Sequence, residues 1–249
     1  MQHHGLLSPP GLATIALAMV VLGGSAARAE APSTCSGGIT TNSTFGALVV
    51  PDNEDCFISG GTVTVGGNVE IGSNASLRID ASGTLSVGGN VAVGSNASLD
   101  VGSRGTLSVA GNLSFANGSE VVLMGVVDFG GGQSVAGSLV GDHAGGLVIR
   151  SGTIGKGIDI GFSTGGVLLL DVSVAGNVSI HDATNPIGQV RITRTTIGGQ
   201  VAIANNSLGA LEITDNTIGK HLTCFGNAIS TLTVSGNTVG GKVQGQCAF

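Results

Sequence analysis

Asp171, Arg194 and Asp215 are the residues whose types and spacing most suggest chemistry. Each stands three positions before an apolar residue of a recurring pattern. Paired carboxylates cleave glycosidic bonds by acid and base catalysis. Stacked strands would place Asp171 and Asp215 about 9.6 Å apart, near the upper end of the ~6.5–9.5 Å range for inverting enzymes. Because Arg194 would stand between them and pair with both, the sequence favours an exposed charge ladder instead.

His181 and Asp182 begin the longest predicted corner, residues 181–186. A carboxylate next to a histidine can orient the imidazole as a general base. Adjacent residues at a strand end usually point to opposite sides, so we expect a solvated corner here. Asp142 and His143 occupy a similar corner.

Metal or cofactor chemistry finds no support in the sequence. Calcium-binding β-roll repeats need a Gly-Gly-x-Gly-x-Asp motif, and the chain contains no copy. The four cysteines lack the spacing of zinc ligands. We therefore predict no metal site and no cofactor.

The elements that must position the candidate residues are copies of one repeat. Residues 61–82 and 83–104 are identical at 13 of 22 positions, and a third copy begins at Gly105. Such self-similarity is the mark of repeat architectures. The first apolar column of the repeat is Val65, Val87, Val109, Val135, Ile154, Val174, Ile197, Ile218 and Val239. The second, four positions later, is Val69, Val91, Leu113, Leu139, Ile158, Val178, Val201, Leu222 and Val243.

Each segment of the repeat alternates apolar with polar or small residues, as a strand with one buried face does. Gly, Asn, Ser and Asp separate the segments and permit left-handed turns. One unit cannot bury its apolar edge alone, but stacked units form a continuous core. The sequence predicts an all-β, single-stranded right-handed parallel β-helix, or β-solenoid, of about nine coils with a 20–23-residue repeat.

Three regions divide the chain. Residues 1–29 are predicted to be a signal peptide, because the apolar run 11–22 is followed by Ala27-Arg28-Ala29. A membrane anchor is the alternative, but a span needs about 20 apolar residues, so we expect no stable span after cleavage. Residues 30–59 are predicted to form an N-terminal cap with a disulfide, and residues 60–249 the β-helix with a C-terminal disulfide.

Four cysteines in an exported chain indicate two disulfides. Cys35 and Cys56 are about one repeat apart, and so are Cys224 and Cys247. Residues one coil apart lie nearly above each other, within the Cα separation that a disulfide spans. We predict that Cys35–Cys56 staples the N-terminal cap and Cys224–Cys247 the last coils.

Paired hydroxyl side chains recur on three consecutive segments. The pairs are Thr62 with Thr64, Thr84 with Ser86, and Thr106 with Ser108. Stacking would bring them into one flat patch, which resembles the Thr-x-Thr arrays of ice-binding β-helices. The outer member of the pair is lost beyond Ser108, so the patch covers three coils only.

The charge balance limits the partners. The chain carries nine Lys and Arg against 15 Asp and Glu, a formal net charge of −6. A nucleic-acid partner requires a basic face, and the sequence shows none. We therefore expect no nucleic acid and favour a glycan or a cell-envelope component.

Both ends of the predicted helix resemble secreted bacterial right-handed β-helix repeat proteins. The residues are Cys35, Val49-Val50-Pro51 and Cys56 at the start, and Thr217-Ile218-Gly219, Leu222-Thr223-Cys224, Gly236–Lys242 and Gly245-Gln246-Cys247 at the end. Those proteins are largely uncharacterised. The resemblance therefore implies the architecture and export but no particular reaction.

The sequence favours a secreted structural or surface-interaction β-solenoid without catalytic activity. The alternatives are a polysaccharide-binding or polysaccharide-cleaving β-helix, and a self-assembling filament or ice-binding surface. The expected location is outside the cytoplasm: extracellular, on the cell surface or in the periplasm.

Overall fold

Alternation of inward apolar and outward polar residues produces short strands that stack from one coil to the next. A computed structural model describes residues 31–80, 82–124 and 133–248. In this part of the chain every regular element is a β-strand, and the strands pair in parallel as a β-solenoid of about nine turns. The predicted fold class is confirmed, while the right-handed winding stays a prediction. The predicted signal peptide, residues 1–29, lies outside the described residues.

Face A is a sheet of eleven parallel strands. Val69 and Ile71 are buried on either side of the exposed Glu70, and this pattern of two inward residues around an outward one recurs along the face. The strands of face A are Ser33–Thr34, Leu48–Val50, Val69–Ile71, Val91–Val93, Leu113–Phe115, Leu139–Asp142, Ile158–Gly161, Val178–His181, Val201–Ala204, Leu222–Phe225 and Val243–Gly245.

Faces B and C belong to a second sheet of 18 strands that bends around a corner. Gly146–Ile154 and Val167–Val174 run through both faces. The other strands of face B are Gly37–Ile39, Asp55–Ser59, Ser76–Asp80, Ser98–Val101, Glu120–Met124, Thr184–Thr193, Ser207–Thr214 and Ala228–Ser235. The other strands of face C are Ser43–Phe45, Thr62–Val65, Thr84–Val87, Thr106–Val109, Gln133–Val135, Thr196–Ile197, Thr217–Ile218 and Thr238–Val239.

The predicted register is confirmed along both apolar columns. Val65 pairs with Val87, and the first column continues without a slip to Val239. The second column is equally unbroken from Val69 to Val243. Strand Leu48–Val50 pairs with Val69–Ile71, so the region predicted as a cap continues the same ladder.

Left-handed residues turn the chain at two corners. Corner AB, between faces A and B, has positive φ at Asn53, Asn74, Asn96, Gly118, His143, Phe162, Asp182, Asn205 and Gly226. Corner BC, between faces B and C, has positive φ at Ser151, Asp171, Arg194, Asp215 and Gly236. Gly, Asn and Asp tolerate this conformation, as the sequence predicted. Phe162 and Arg194 are not residues that such a turn selects.

Buried asparagines stabilise the C-terminal half of the core, and the sequence analysis missed them. Asn206 stacks on Asn227 at corner AB, and Asn216 on Asn237 at corner BC. The Asn216 Oδ1 accepts from the backbone N–H of Thr195, and its Nδ2 donates to the carbonyl of Ile192. These amides satisfy backbone groups that turns bury.

The two predicted disulfides are present, and their Cα atoms lie 5.5 and 5.4 Å apart, in the pairs Cys35–Cys56 and Cys224–Cys247. The expectation that the two cysteines of each pair lie nearly above each other is confirmed, although they are not paired residues of the ladder. Cys56 pairs in the ladder with Gly37 rather than with Cys35. Cys224 likewise pairs with Gly245. In each disulfide, one cysteine lies two residues away along the chain from the ladder partner of the other. Each disulfide therefore links two coils at corner AB, one at each end of the solenoid.

Candidate ligand-binding surface

The predicted charge ladder of Asp171, Arg194 and Asp215 lies at corner BC. Arg194 donates from Nε to Asp171 Oδ1 at 2.8 Å and from Nη2 to Asp171 Oδ2 at 2.9 Å. The hydrogen-bonded guanidinium lowers the pKa of the Asp171 carboxyl, and Asp171 in turn raises the pKa of Arg194. Both oxygens of Asp171 are therefore engaged by one partner.

The prediction that Arg194 pairs with both carboxylates is wrong. Within the described ranges, the ion pair of Arg194 is with Asp171, and none joins it to Asp215. The planar guanidinium presents its Nε and Nη2 edge to one carboxylate, which turns that edge away from the next coil. An exposed pair of this kind is a surface ion pair of small energetic weight, not an acid and base arranged around a substrate.

His181 and Asp182 differ from the sequence expectation. The expectation that their side chains point apart is wrong, because His181 Nδ1 lies 2.9 Å from Asp182 Oδ2. Asp182 has a φ of 55°, so the alternation of an extended strand ends at this residue and its carboxylate turns back to the imidazole. The other ring nitrogen, Nε2, lies 3.4 Å from Asp159 Oδ1 on the preceding coil.

These side chains are part of a larger group on three consecutive coils at corner AB. We call this group the corner cluster: Asp142, His143, Asp159, Phe162, His181 and Asp182. The equivalent outward positions on the coils before and after are small or neutral, with Ser114 and Ala116 on one side and Ala202 and Ala204 on the other. Acidic groups and interacting rings are therefore concentrated on these three coils, while Phe225 adds an exposed ring two coils beyond His181.

Ring contacts organise the corner cluster. The imidazole of His143 stacks on the Phe162 ring with centroids 4.8 Å apart and planes 11° apart. His181 meets the same ring edge to face, with centroids 6.2 Å apart and planes at 79°. Asp142 Oδ1 lies 3.0 Å from His143 Nδ1. Each imidazole is thus held by Phe162 on one side and by a carboxylate on another.

Gly161 makes room for this arrangement. It pairs with Asp142 on one side and with His181 on the other in face A. A Cβ at Gly161 would lie 2.7 Å from Cε1 of His181, so the ring rests over the backbone where a side chain would stand. The glycine thereby lets the His181 ring lie low beside Phe162.

Phe162 carries two unfavourable features at once. Its side chain is 45% exposed, and its φ is 50°, a left-handed conformation that is an outlier for a bulky residue. Such strain costs on the order of 1–3 kcal/mol and occurs at functional sites. On the other coils this corner position holds Asn, Gly, Asp or His. Folding stability therefore does not account for a phenylalanine here.

A shallow groove crosses the outer surface of face A and passes Asp142 and Asp159 of the corner cluster. Two adjoining hollows of about 430 and 510 Å³ share Val140, which is 42% exposed. Ala92 and Ser114 form part of the floor of the first hollow, and Gly157 and Gly176 contribute to the second. Small residues thus create the depression, and Asp142 and Asp159 of the corner cluster lie in its wall.

The predicted hydroxyl patch is present, and a charged pair also stacks between neighbouring coils. Thr62, Thr84 and Thr106 are in register on face C, as are Thr64, Ser86 and Ser108, so the hydroxyl patch forms on three coils. Arg191 Nε lies 3.1 Å from Glu212 Oε2 across neighbouring strands of face B. These arrangements stabilise cross-strand pairing.

Sequence analysis did not connect the members of the corner cluster. A signal was available: His143, Phe162 and Asp182 each follow the first apolar column by eight residues, the position that Asn205 and Gly226 hold on the next two coils. A bulky ring at a position that selects turn residues marks an exception to the repeat. The stacking of the rings depends on side-chain torsions, which no spacing in the sequence determines.

No protein-family model matches the chain, and neither a curated protein nor a solved structure gives a significant match. The residues with described positions include no helix long and apolar enough to cross a membrane. Nor do they include a group of three or more His, Cys, Asp or Glu that could hold a metal ion.

Proposed function

We propose that the protein is an exported surface-interaction β-solenoid that binds a glycan through the corner cluster, without catalysing a reaction. The observation that carries the proposal is the exposed, left-handed Phe162 between the imidazoles of His143 and His181. An exposed ring gives a sugar a flat apolar surface to stack on, and carboxylates beside it accept hydrogen bonds from hydroxyl groups.

Export is supported by two independent features. Both cysteine pairs are joined as disulfides, which persist in oxidising compartments outside the cytoplasm. The predicted signal peptide and the resemblance to secreted bacterial β-helix repeat proteins point the same way. The protein would then meet glycans of the cell envelope or of the surroundings.

Absence of catalysis is proposed because two of the candidate acids and bases, Asp171 and His181, are occupied by neighbouring side chains. Both oxygens of Asp171 accept from Arg194. Both ring nitrogens of His181 face carboxylates, Asp182 and Asp159. A general base needs a free nitrogen or oxygen within hydrogen-bond reach of the substrate. The same occupied groups hold the aromatic rings in place.

The test is glycan binding by the Phe162→Gly variant. Glycine removes the ring and relieves the left-handed backbone, so the variant should be at least as stable as the wild type while its binding falls about tenfold or more. The matched control is Phe57→Ala, which removes a 42% exposed ring from face B and should bind as the wild type does. Binding is measured on a printed glycan array and by co-sedimentation with insoluble cellulose, xylan and chitin.

Three results would contradict the proposal. Wild-type protein that binds none of these glycans would refute it. So would equal binding by wild type and Phe162→Gly, because the ring would then have no part in recognition. Glycan release into the supernatant, abolished by His181→Ala, would contradict the non-catalytic part.

A further inference from the structure

We infer that the glycan is a linear chain free of uronic acid, which runs along the solenoid axis in the groove of face A and contacts the corner cluster beside Asp142 and Asp159. This inference rests on the proposed function and adds the shape and charge of the ligand. The groove crosses the outward column Glu70, Ala92, Ser114, Val140, Asp159 and Ser179.

The length of the groove argues for a polymer. Six outward residues stand on six consecutive coils, and five strand spacings of about 4.8 Å give a path of about 24 Å. A single sugar on Phe162 would cover only a fraction of this path. The two hollows adjoin at Val140, so a linear chain can occupy both of them continuously.

The charge of the groove argues against an acidic chain. Glu70, Asp142 and Asp159 line it against one cation, Lys156, and Asp182 adds a further carboxylate at the corner. Like charges at close range repel, most of all where solvent is displaced. Neutral hydroxyl groups can instead donate hydrogen bonds to these carboxylates.

The backbone of face A argues against an extended peptide as the occupant. Along this face the strands are paired in parallel with both neighbouring coils from Val69 to Ser179. The groove therefore runs across strands whose backbone groups are already bonded, and it offers no free strand edge for β-augmentation. The groove can therefore bind a ligand only through side chains and flat surfaces, and a sugar chain binds in this way.

The test measures affinity against chain length with defined probes. Neutral β-1,4-linked cello-, xylo- and manno-oligosaccharides, from disaccharide to hexasaccharide, are titrated by calorimetry against matched oligogalacturonides. We expect affinity for a neutral series to rise about tenfold or more from disaccharide to hexasaccharide, and oligogalacturonides not to bind. Equal affinity for the two lengths, or oligogalacturonide binding as tight as neutral binding, would overturn the inference.

Variants separate this inference from the proposed function. The double variant Ala92→Gln with Ser114→Gln fills the floor of the groove with larger, uncharged side chains. It should abolish the increase in affinity from disaccharide to hexasaccharide, while the disaccharide still binds. Thr223→Gln, in the same column two coils beyond Ser179, is the matched control and should keep this increase. If the double variant keeps the increase in affinity with chain length, the glycan does not lie in the groove. Phe162 can still bind a sugar in that case. If wild type binds no probe in any series, the inference fails together with the proposed function.

Discussion

Phe115 and Gly141 occupy one core column of face A on neighbouring coils, and the Phe115 ring fills the space that Gly141 leaves empty. A Cβ at Gly141 would overlap the ring edge, 2.5 Å from Cζ. From Val50 to Cys224 the remaining coils place a medium-sized residue at this depth, for example Val93 and Ile160. A large and a small residue therefore compensate each other, as close packing requires.

Gly141→Ala should destabilise the protein by about 1–3 kcal/mol, because the added methyl group overpacks the core. Phe115→Leu together with Gly141→Ala should recover part of the loss. Urea unfolding of the two single variants and the double variant measures this coupling. Additive effects of the two changes would show that the residues do not share space.

Asn216→Ala should cost about 2–4 kcal/mol, because the buried Thr195 N–H and Ile192 carbonyl both lose their partner. The matched control is Asn90→Ala. Its Oδ1 accepts from the Asn112 backbone in an exposed position, where water can replace it. We expect less than about 1 kcal/mol for the control in the same denaturation experiment. Similar losses for both variants would contradict the distinction between the buried and the exposed ladder.

Replacement of Cys35 and Cys56 by alanine should weaken the N-terminal end of the solenoid. A disulfide that closes a loop of this size contributes about 3 kcal/mol. Hydrogen exchange should speed up in Gly37–Ile39 and Asp55–Ser59, and the coils around Gly161 should stay protected. The reciprocal control replaces Cys224 and Cys247 and should loosen only the other end. Loss of protection along the whole rod in either variant would refute local clamping.

Asp171 should titrate below the usual range of a carboxyl, because Arg194 lowers its pKa. A lowered pKa in the folded state stabilises the fold above the unfolded-state pKa of about 3.9, and this contribution disappears as the pH falls through the folded-state pKa. Carboxyl-detected NMR titration should show the Asp171 midpoint moving upward in Arg194→Gln. Arg191→Gln is the control and should leave it in place. An unchanged midpoint in Arg194→Gln would contradict the ion pair.

The sequence was sufficient for the fold because apolar columns, turn residues and cysteines follow one period. Val65, Val69 and their successors fix the register, and a slip of one residue would expose each of them. Cys35 and Cys56 were paired correctly, but their offset in the ladder depends on how corner AB turns. The corner cluster escaped prediction for a similar reason: side-chain orientation at a left-handed residue such as Asp182 does not follow strand alternation.

The most direct measurement is a footprint of the bound glycan on the wild-type protein. Backbone chemical-shift changes, or hydrogen-exchange protection, are recorded with and without a neutral hexasaccharide that binds. We expect the largest changes in chemical shift or protection in Leu139–Asp142, Ile158–Gly161 and Val178–His181, and at the adjoining Phe162. Changes confined to the hydroxyl patch of Thr62, Thr84 and Thr106, or to corner BC at Asp171, would contradict it.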